Sequence, residues 1–252
     1  MKIYLGQVVW RDEAQGHAQC MRQLWRELDK RGIDFEDGTV VGDALVSRSR
    51  SIVASSFLLS DCDVLLSIDS DIWFRPEDAI ALAEKAVSYD IIAGLYMTRS
   101  LNTQPALMLP DTKVDFAPGV EPVETRFGST GFMAVHRSVF EKLSESLPRC
   151  HIGWSDRGQD TSFWPFYMPF VIPWEGDGHM YLSEDWAFCE RAKDAGFKVW
   201  LDPSIRLGHY GSYLFTLEDL ARAPKPEPSP MGLKRHADGR LDTYLTKEQT
   251  HV

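Results

Sequence analysis

Short apolar segments alternate with longer segments of helical periodicity through the first half of this 252-residue chain. The apolar segments are Ile3–Val9, Val64–Ile68 and Ile91–Leu95, and the helical segments are 13–30, 44–60 and the stretch that Pro76 opens. The run VLLSI is almost continuously apolar, as expected for a strand that is buried on both faces. This strand–helix–strand order predicts an α/β fold: a Rossmann-like, mostly parallel central sheet flanked by helices on both faces.

The second half of the chain is less regular. We predict short strands over 107–123 with a turn at Pro118-Gly119, a strand at 132–135, a helix at 138–143 and long loops over 151–182. Loops of that length are uncommon unless they serve a function. Ser183 is placed to cap a helix over 184–195, and the last strands are predicted at 197–201 and 205–207.

A proline-rich stretch, APKPEPSP, separates this part of the chain from a polar tail. Such a sequence forms a stiff, extended linker. We therefore expect one domain over 1–222, followed by a linker and tail over 223–252. Lys234, Arg235 and His236 in the tail could close over a bound ligand as a lid, but a solvated tail or an oligomer arm explains them equally well. The sequence predicts no particular oligomeric state.

The formal net charge of −10 argues against non-specific nucleic-acid binding through a broad basic face, although a local basic groove is compatible with it. The four cysteines are scattered without a CxxC pair, which fits reduced thiols better than disulfides or a zinc site. The sequence has no signal-peptide cleavage pattern and no stretch near the roughly 20 apolar residues of a membrane span. We therefore expect a cytoplasmic protein.

Two aspartates follow the run VLLSI directly, in the triplet Asp69-Ser70-Asp71. Ligands of open α/β sheets bind beyond the carboxyl ends of the strands, where this triplet is expected to lie. On an extended backbone the two carboxylates would point to the same side, which is unfavourable unless a cation lies between them. Mg²⁺ or Mn²⁺ suits such oxygen ligands and keeps positions open for phosphates. Taken alone, the triplet fits a solvated loop or a helix cap as well.

Two longer stretches carry further motifs in a fixed order. In VSRSRSIVASSFLLSDCDVLLSIDSDIWFRPEDAI, a basic pair, an apolar strand, the acidic triplet and a proline-led helix follow one another. In YLSEDWAFCERAKDAGFKVWLDPSIRLGHYG, an acidic pair begins a helix and a histidine follows the next strands. Together they resemble the GT-A superfamily of glycosyltransferases, both its GT2-like group and the Anp1-like mannosyltransferases. The resemblance covers roughly residues 1–215 and is nearest to phage-encoded glycosyltransferases, which implies the cytoplasm of a bacterial or phage-infected cell.

The resemblance implies a role for each matching position at the donor. Asp71 matches the metal-ligating aspartate, and Asp69 matches the one that contacts the ribose, or the metal through water, with Ser70 between them. His209 matches the histidine that often completes the metal site. The remaining donor positions are the basic pair Arg48 and Arg50, of which we prefer Arg48 as the diphosphate ligand, and Gln7 near the nucleotide base. A guanidinium suits a diphosphate because it is always charged and binds in bidentate fashion.

The acidic pair Glu184 and Asp185 bears on the mechanism. In inverting members of the superfamily, the second acid of this pair is the general base that takes the proton of the acceptor hydroxyl. A positioned carboxylate is useful because a hydroxyl is a poor nucleophile until it is deprotonated. Acids in a first helical turn also stabilise the helix dipole without any catalysis. We favour catalysis for Asp185 and leave both roles open for Glu184; a retaining member could use the pair only to hold sugar hydroxyls.

The segment FGSTGF at 127–132 is the other candidate site element. Gly128 and Gly131 flank small hydroxyl residues, among them Ser129, and glycines let a backbone approach a ligand closely. The resemblance places this loop at the donor-sugar and acceptor pocket, although an ordinary turn between strands would look the same. Aromatic residues of the long loops could stack on a ligand but are more often local core: Trp154, Trp164, Phe166, Tyr167 and Trp174.

These features predict a glycosyltransferase that uses Mn²⁺ or Mg²⁺ and a nucleotide diphosphate sugar, with a UDP-sugar favoured and a GDP-sugar open. The acceptor is expected to be a hydroxyl of a modified DNA base, a glycan or a protein. A nucleotidyltransferase is an alternative, although the region after the first strand, GQVVWRDEAQG, lacks a Gly-rich phosphate loop. A non-catalytic sugar- or nucleotide-binding module on the same fold is the other alternative.

Overall fold

The computed structural model describes residues 1–100, 103–110, 114–117, 119–152, 162–174, 178–211, 213–219, 231–235 and 241–245. Its helices are α1 (Gln15–Arg31), α2 (Val46–Leu59), α3 (Pro76–Tyr89), α4 (Arg137–Ser144) and α5 (Glu184–Asp194). Its strands are β1 (Ile3–Val9), β2 (Phe35–Val41), β3 (Val64–Ile68), β4 (Ile72–Trp73), β5 (Ile91–Leu95), β6 (Val123–Thr125), β7 (Phe132–His136), β8 (Cys150–His151), β9 (Ser162–Phe163), β10 (Phe170–Pro173), β11 (His179–Leu182), β12 (Val199–Arg206), β13 (Gly208–Tyr210), β14 (Leu214–Phe215), β15 (Met231–Arg235) and β16 (Leu241–Leu245).

A central sheet of seven strands organises the domain, in the order β2-β1-β3-β7-β5-β12-β6. Strand β1 pairs in parallel with β2 and β3, and β5 pairs in parallel with β12. Strand β7 runs antiparallel between β3 and β5, and β6 runs antiparallel at the edge. Five of the seven strands therefore point in one direction, and the predicted α/β class with a mostly parallel sheet is confirmed.

Helices cover both faces of this sheet, as predicted. On one face, apolar residues of α1 and α3 pack on Ile3, Leu5 and Leu66. On the other face, apolar residues of α2, α4 and α5 pack on Tyr4 and Leu65. The two sets alternate along β1 and β3 because successive side chains of a strand point to opposite faces. Cys62 and Cys189 are buried on the second face, as expected for core thiols.

Helix bounds follow the sequence signals closely. Gly32 ends α1 in the left-handed conformation, with φ of 64°. Pro76 opens α3, and Glu77 and Asp78 lie in its first turn. Ser183 takes the N-cap position of α5, although its side chain makes no capping hydrogen bond.

Strand predictions were less complete. Strand β2 was missed because it is a partly exposed edge strand with charges, FEDGTVV, rather than an apolar run. The separate strands predicted at 197–201 and 205–207 are wrong: 199–206 forms one strand, β12, whose register shifts between Asp202 and Arg206. Pro203 lies at this irregularity, where a residue without an N–H is tolerated.

The predicted strands over 107–123 are also wrong for the part of that segment that the structure describes, where only Val123 joins a strand. Pro118 lies outside the described residues. The long-loop prediction for 151–182 is partly wrong, because the described parts form the hairpins β8–β9 and β10–β11. Backbone pairing of β15 with β16 forms a further hairpin in the tail, and His236 lies outside the described residues. Among the described helices, none combines the length and the apolar character needed to cross a membrane.

Candidate active site

A cleft of about 250 Å³ opens beyond the carboxyl ends of β1 and β3. Its lining combines apolar and charged side chains, with Ser70 among them: Val8, Trp10, Ala44, Val46, Asp43, Arg50, Asp69, Asp71 and Arg99. The location is the one predicted from the order of the strands. A lining of both kinds suits a ligand that combines a flat ring with phosphates.

The Asp69-Ser70-Asp71 segment is a tight turn. The Ile72 N–H donates to the Asp69 carbonyl at 3.1 Å, so the expectation of an extended backbone is wrong. Two further backbone bonds hold the turn: Asp69 N–H donates to Gly131 O at 2.9 Å, and Ala14 N–H donates to Ser70 O at 3.0 Å. Because the backbone turns, the two carboxylates face different partners instead of each other.

Asp71 faces His209 across a short antiparallel ladder. Strand β13 pairs with β4, with His209 opposite Ile72, and the Tyr210 N–H donates to the Asp71 carbonyl at 2.8 Å. His209 Nε2 lies 3.4 Å from Asp71 Oδ1. Its other nitrogen, Nδ1, lies 2.7 Å from the carbonyl of Met97 and must donate to it, since a carbonyl only accepts.

This arrangement fits a divalent cation. With Nδ1 protonated, the neutral ring presents its Nε2 lone pair towards a carboxylate, which is unfavourable unless a proton or a cation lies between them. Two ligand atoms that each lie about 2 Å from one ion are roughly 3 Å apart, close to the observed 3.4 Å separation of His209 Nε2 and Asp71 Oδ1. The carbonyl of Met97 fixes the tautomer, as the outer partners of metal-binding histidines do.

Arg99 lies on the other oxygen of Asp71 and was not predicted from the sequence. Its Nη1 donates to Asp71 Oδ2 at 2.5 Å. Burial opposes the ionisation of Asp71, but its contacts with His209 and Arg99 hold the pKa of Asp71 below its ordinary value. Asp71 is therefore an anion, with Arg99 on one oxygen and His209 Nε2 facing the other.

Asp69 is bound to Arg50 instead. The guanidinium donates Nη1 to Oδ1 at 2.9 Å and Nη2 to Oδ2 at 3.0 Å, a bidentate pair. Arg50 is only 9% exposed, so this ion pair is largely shielded from water. Each carboxylate oxygen of Asp69 keeps a second lone pair, which can still accept from a ribose hydroxyl or a metal-bound water.

The Nε edge of the Arg50 guanidinium faces the acidic pair at the start of α5. Arg50 Nε lies 3.9 Å from Glu184 Oε1 and 3.8 Å from Asp185 Oδ1, and has no hydrogen-bond partner among the described residues. Burial of Arg50 opposes its charge, but Asp69 and Asp185 together keep its pKa well above the usual value. Burial, and the charge of Asp185, raise the pKa of Glu184. Arg50 thus joins the acidic triplet to the acidic pair.

The FGSTGF segment holds Asp185. Ser129 Oγ donates to Asp185 Oδ2 at 3.3 Å, and Thr130 Oγ1 donates to Oδ1. Ser129 also bonds the hydroxyl of Tyr96, whose pKa is raised by burial and by the nearby carboxylates, so that it remains a neutral phenol. Asp185 is therefore oriented by two hydroxyl groups while its side chain remains 18% exposed.

The two glycines of this segment differ in their surroundings. A Cβ on Gly131 would lie 2.3 Å from the Tyr96 hydroxyl and 2.8 Å from Asp69 Oδ2, so the absence of a side chain makes room for the site. A Cβ on Gly128 would instead meet Met133 at 2.8 Å and Val199 at 3.2 Å. The structure places Gly131 beside the site and Gly128 in the core.

Two residues predicted to bind the donor nucleotide contact other side chains instead. Arg48 forms a bidentate pair with Asp43, at 2.7 Å and 2.6 Å, and its side chain does not line the cleft. The geometry therefore favours Arg50 over Arg48, the reverse of the sequence-based preference. Gln7 is buried, and its Nε2 donates to His17 Nε2 at 2.8 Å on the α1 side of the sheet. Trp10, three residues later, lines the cleft and is 49% exposed.

Most of the loop aromatics belong to the core. Phe166 and Tyr167 are fully buried, and the backbone N–H of Tyr167 donates to Ser51 Oγ at 3.1 Å. Trp164 packs against the same cluster, and Trp174 lies beside the guanidinium of Arg126. Trp154 lies outside the described residues.

Comparisons with known proteins find similarity at the level of three-dimensional structure. No family model and no curated protein matches this chain. GalNAc-T7 with UDP, GalNAc and Mn²⁺ aligns with 82% of this chain and 43% of its own, at 12% identity and a TM-score of 0.47. Staphylococcus aureus TarS 1-349 with UDP-GlcNAc aligns over 81% and 56%, at 9% identity and a TM-score of 0.41.

A third similar structure is a Drosophila β1,4-galactosyltransferase 7 variant with manganese, UDP-Gal and xylobiose. It aligns with 96% of this chain and 94% of its own, at 13% identity and a TM-score of 0.37. This chain spans only about half the length of the first two structures, 43% of one and 56% of the other. Because all three TM-scores are below 0.5, the function of this chain has to be inferred from its own residues.

Proposed function

We propose that this chain is a metal-dependent glycosyltransferase of the GT-A type, which transfers a sugar from a nucleotide diphosphate sugar to a hydroxyl. The observation that carries the proposal is the pairing of Asp71, which lines the cleft, with an oriented His209 nitrogen at 3.4 Å. Arg50 links this cleft to an acidic pair that is suited to proton transfer. A metal site and a base site thus share one region.

The donor nucleotide is proposed to lie along the cleft. Its base would pack against Trp10, and its diphosphate would lie near Asp71. The indole offers a flat, exposed surface for a ring. Asp69 would accept from ribose hydroxyls through the lone pairs that Arg50 does not use. We favour a UDP-sugar, with a GDP-sugar as the second donor to be tested.

Asp71 and His209 would hold Mn²⁺ or Mg²⁺, with Asp69 contributing through water. When bound, the ion supplies Lewis-acid stabilisation of the departing diphosphate. The chain contributes a carboxylate held as an anion and a histidine whose tautomer is fixed by the Met97 carbonyl.

Asp185 is proposed as the general base of an inverting reaction. Its carboxylate would take the proton of the acceptor hydroxyl as that oxygen attacks the anomeric carbon, and the donor's diphosphate would leave with the bonding electrons. Ser129 and Thr130 orient the carboxylate, and Arg50 Nε lies 3.8 Å from its Oδ1. Glu184, the second candidate, has a raised pKa and would hold a sugar hydroxyl.

A donor screen tests the proposal. Purified protein is incubated with UDP- and GDP-sugars and Mn²⁺, and the released nucleotide is identified by chromatography. We expect metal-dependent release of UDP or GDP, because many such enzymes slowly hydrolyse their donor. Full activity in excess EDTA would contradict the metal site. In a parallel incubation with a nucleoside triphosphate and a sugar phosphate, release of pyrophosphate would indicate a nucleotidyltransferase instead. Donor binding without turnover on any acceptor would indicate a binding module.

Asp71→Asn localises the metal within this screen. The exchange keeps the shape of the side chain and removes its charge, so turnover and Mn²⁺ affinity should fall while the fold is retained. Asp34→Asn is the matched control, because Asp34 is an exposed acid at the amino end of β2, opposite the cleft. With the donor known, modified DNA, glycans and proteins are tested as hydroxyl acceptors.

A further inference from the structure

Arg99 makes a contact with Asp71 that binding of the proposed metal and donor would alter. It follows β5 and lies in a closed loop, in which the Thr98 N–H donates to the Gln104 carbonyl at 2.7 Å and Met97 pairs with Pro105. Its side chain packs near Gly211, where an added Cβ would lie 3.3 Å from the Arg99 stem. The guanidinium then reaches Asp71 Oδ2 at 2.5 Å and lines the cleft.

A divalent cation at Asp71 and His209 would compete with this guanidinium. His209 Nε2 faces Oδ1 of Asp71, and Arg99 binds Oδ2 of the same carboxylate. Two cations on one carboxylate repel each other, and the guanidinium is the one that can move. Arg99 is 50% exposed and sits on a flexible stem, whereas His209 is fixed through Nδ1.

The diphosphate that accompanies the metal provides the alternative partner. Arginine binds phosphate oxygens with two parallel N–H groups and remains charged at any working pH. Arg50 is also part of the cleft lining, but it is 9% exposed and already forms a bidentate pair with Asp69. Arg99 is therefore the better placed of these two guanidinium groups to bind a phosphate.

We propose that Arg99 exchanges partners during donor binding: it neutralises Asp71 in the metal-free protein, and it binds a donor phosphate once a divalent cation is held by Asp71 and His209. This inference rests on the proposed function, which supplies the metal and the diphosphate. It assigns to Arg99 two effects of opposite sign, since the same side chain opposes metal binding alone and favours diphosphate binding with the metal present.

The test measures two affinities in the full chain. Binding of Mn²⁺ alone is followed by the electron paramagnetic resonance signal of the free ion. Binding of inorganic pyrophosphate at saturating Mn²⁺ is followed by calorimetry. The variants are Arg99→Ala, Arg99→Gln and Arg99→Lys. The control is Arg31→Ala, which removes a guanidinium of 40% exposure from an ion pair at the end of α1. Circular dichroism establishes that each variant is folded.

Arg99→Ala and Arg99→Gln should bind Mn²⁺ about 2- to 5-fold more tightly, the size expected for loss of a half-exposed ion pair. The same variants should bind pyrophosphate about 10-fold more weakly, as expected when a charged hydrogen-bond donor is lost. Arg99→Lys, which keeps the charge without the fork, should weaken pyrophosphate binding with little effect on Mn²⁺, and Arg31→Ala should change neither affinity.

Weaker binding of both ligands by folded Arg99→Ala would overturn the exchange and leave Arg99 a structural residue. Unchanged affinities would overturn it as well. If the unaltered protein binds no Mn²⁺ at all, it is the proposed metal site that fails, so the two failures are distinguishable.

Discussion

Arg48 and Arg50 lie two residues apart at the start of α2 but contact different carboxylates. Two residues along a helix place side chains on nearly opposite sides, so only one of them can face the carboxyl edge of the sheet. Arg50 reaches Asp69 and the acidic pair, and Arg48 reaches Asp43. The sequence identified both as basic residues near the site, but the choice between them depends on the rotation of the helix, which composition does not encode.

Replacement of Arg50 should destabilise the protein strongly. Arg50→Met would leave the partly buried carboxylates of Asp69 and Asp185 without their shared cation, and breaking a buried pair typically costs about 3–5 kcal/mol. Arg48→Met, which removes an ion pair whose arginine is 41% exposed, should cost less, about 1 kcal/mol. Urea unfolding of the two variants gives the comparison. Equal losses of unfolding free energy would mean that Arg50 does not link the two acidic groups.

Asp185→Asn separates proton transfer from binding. The exchange keeps the size of the side chain, its amide oxygen can accept from one of the two hydroxyls of Ser129 and Thr130, and its NH2 can donate to the other, so the start of α5 should remain folded. A general base contributes roughly 10²–10⁴-fold to rate, and turnover should fall by about that factor with donor binding little changed.

Glu184→Gln is the matched comparison for this exchange. It changes the neighbouring acid of the same helical turn and should reduce turnover much less. Near-normal turnover in Asp185→Asn would make Asp185 a helix-start acid and Glu184 the next candidate. A product with the same anomeric configuration as the donor would reject the inverting mechanism.

At the scale of secondary-structure elements, the strands and helices with a strong periodic pattern were predictable from the sequence. The pairing of the strands in the sheet was not. The apolar runs of β1, β3 and β5 and the caps of α1 and α3 are local signals, and their positions agree with the structure. The antiparallel insertion of β7 between β3 and β5 joins segments far apart in the sequence. Strand β2 lacks the apolar pattern because an edge strand is only half covered.

The start of β7 depends on a residue without a side chain. Gly131 O accepts from the Asp69 N–H at 2.9 Å, and a Cβ on Gly131 would overlap the Tyr96 hydroxyl at 2.3 Å. Gly131→Ala should therefore displace Tyr96 or the acidic turn. We expect a loss of about 1–3 kcal/mol in unfolding free energy, as for overpacked cores, together with weaker Mn²⁺ binding.

Gly178→Ala controls for the glycine exchange itself. Among the described residues, apart from the chain neighbours, no atom lies within 4 Å of a Cβ at Gly178, so stability and metal affinity should stay near those of the unaltered protein. If Gly131→Ala behaves like this control, the close approach of β7 to the acidic turn does not shape the site.

At the scale of the whole molecule, the site is assembled from separate parts of the chain. Asp69 and Asp71 were identified from their place at the end of a predicted strand, whereas Glu184, Asp185 and His209 were identified from the resemblance to GT-A glycosyltransferases. Arg99 and Trp10 belong to none of these motifs, and the cleft contains them because the segments that follow β5 and β1 both extend to it. No local signal in the sequence indicates that these two segments line one cleft.

The boundary of the domain can be tested by truncation after Pro224. Both main cores of the described residues lie before this point, the last core residues being Leu207 and Val199, and so do Asp71, Asp185 and His209. The sequence predicts a proline-rich linker between them and the tail. The truncated chain should therefore unfold cooperatively with the stability of the full chain and should bind Mn²⁺ with unchanged affinity. Noncooperative unfolding would place part of the tail within the domain.

The affinity of the truncated chain for UDP at saturating Mn²⁺ tests the role of the tail. A lower affinity than that of the full chain would support a lid over the diphosphate, and an unchanged affinity would leave the tail without a part in donor binding.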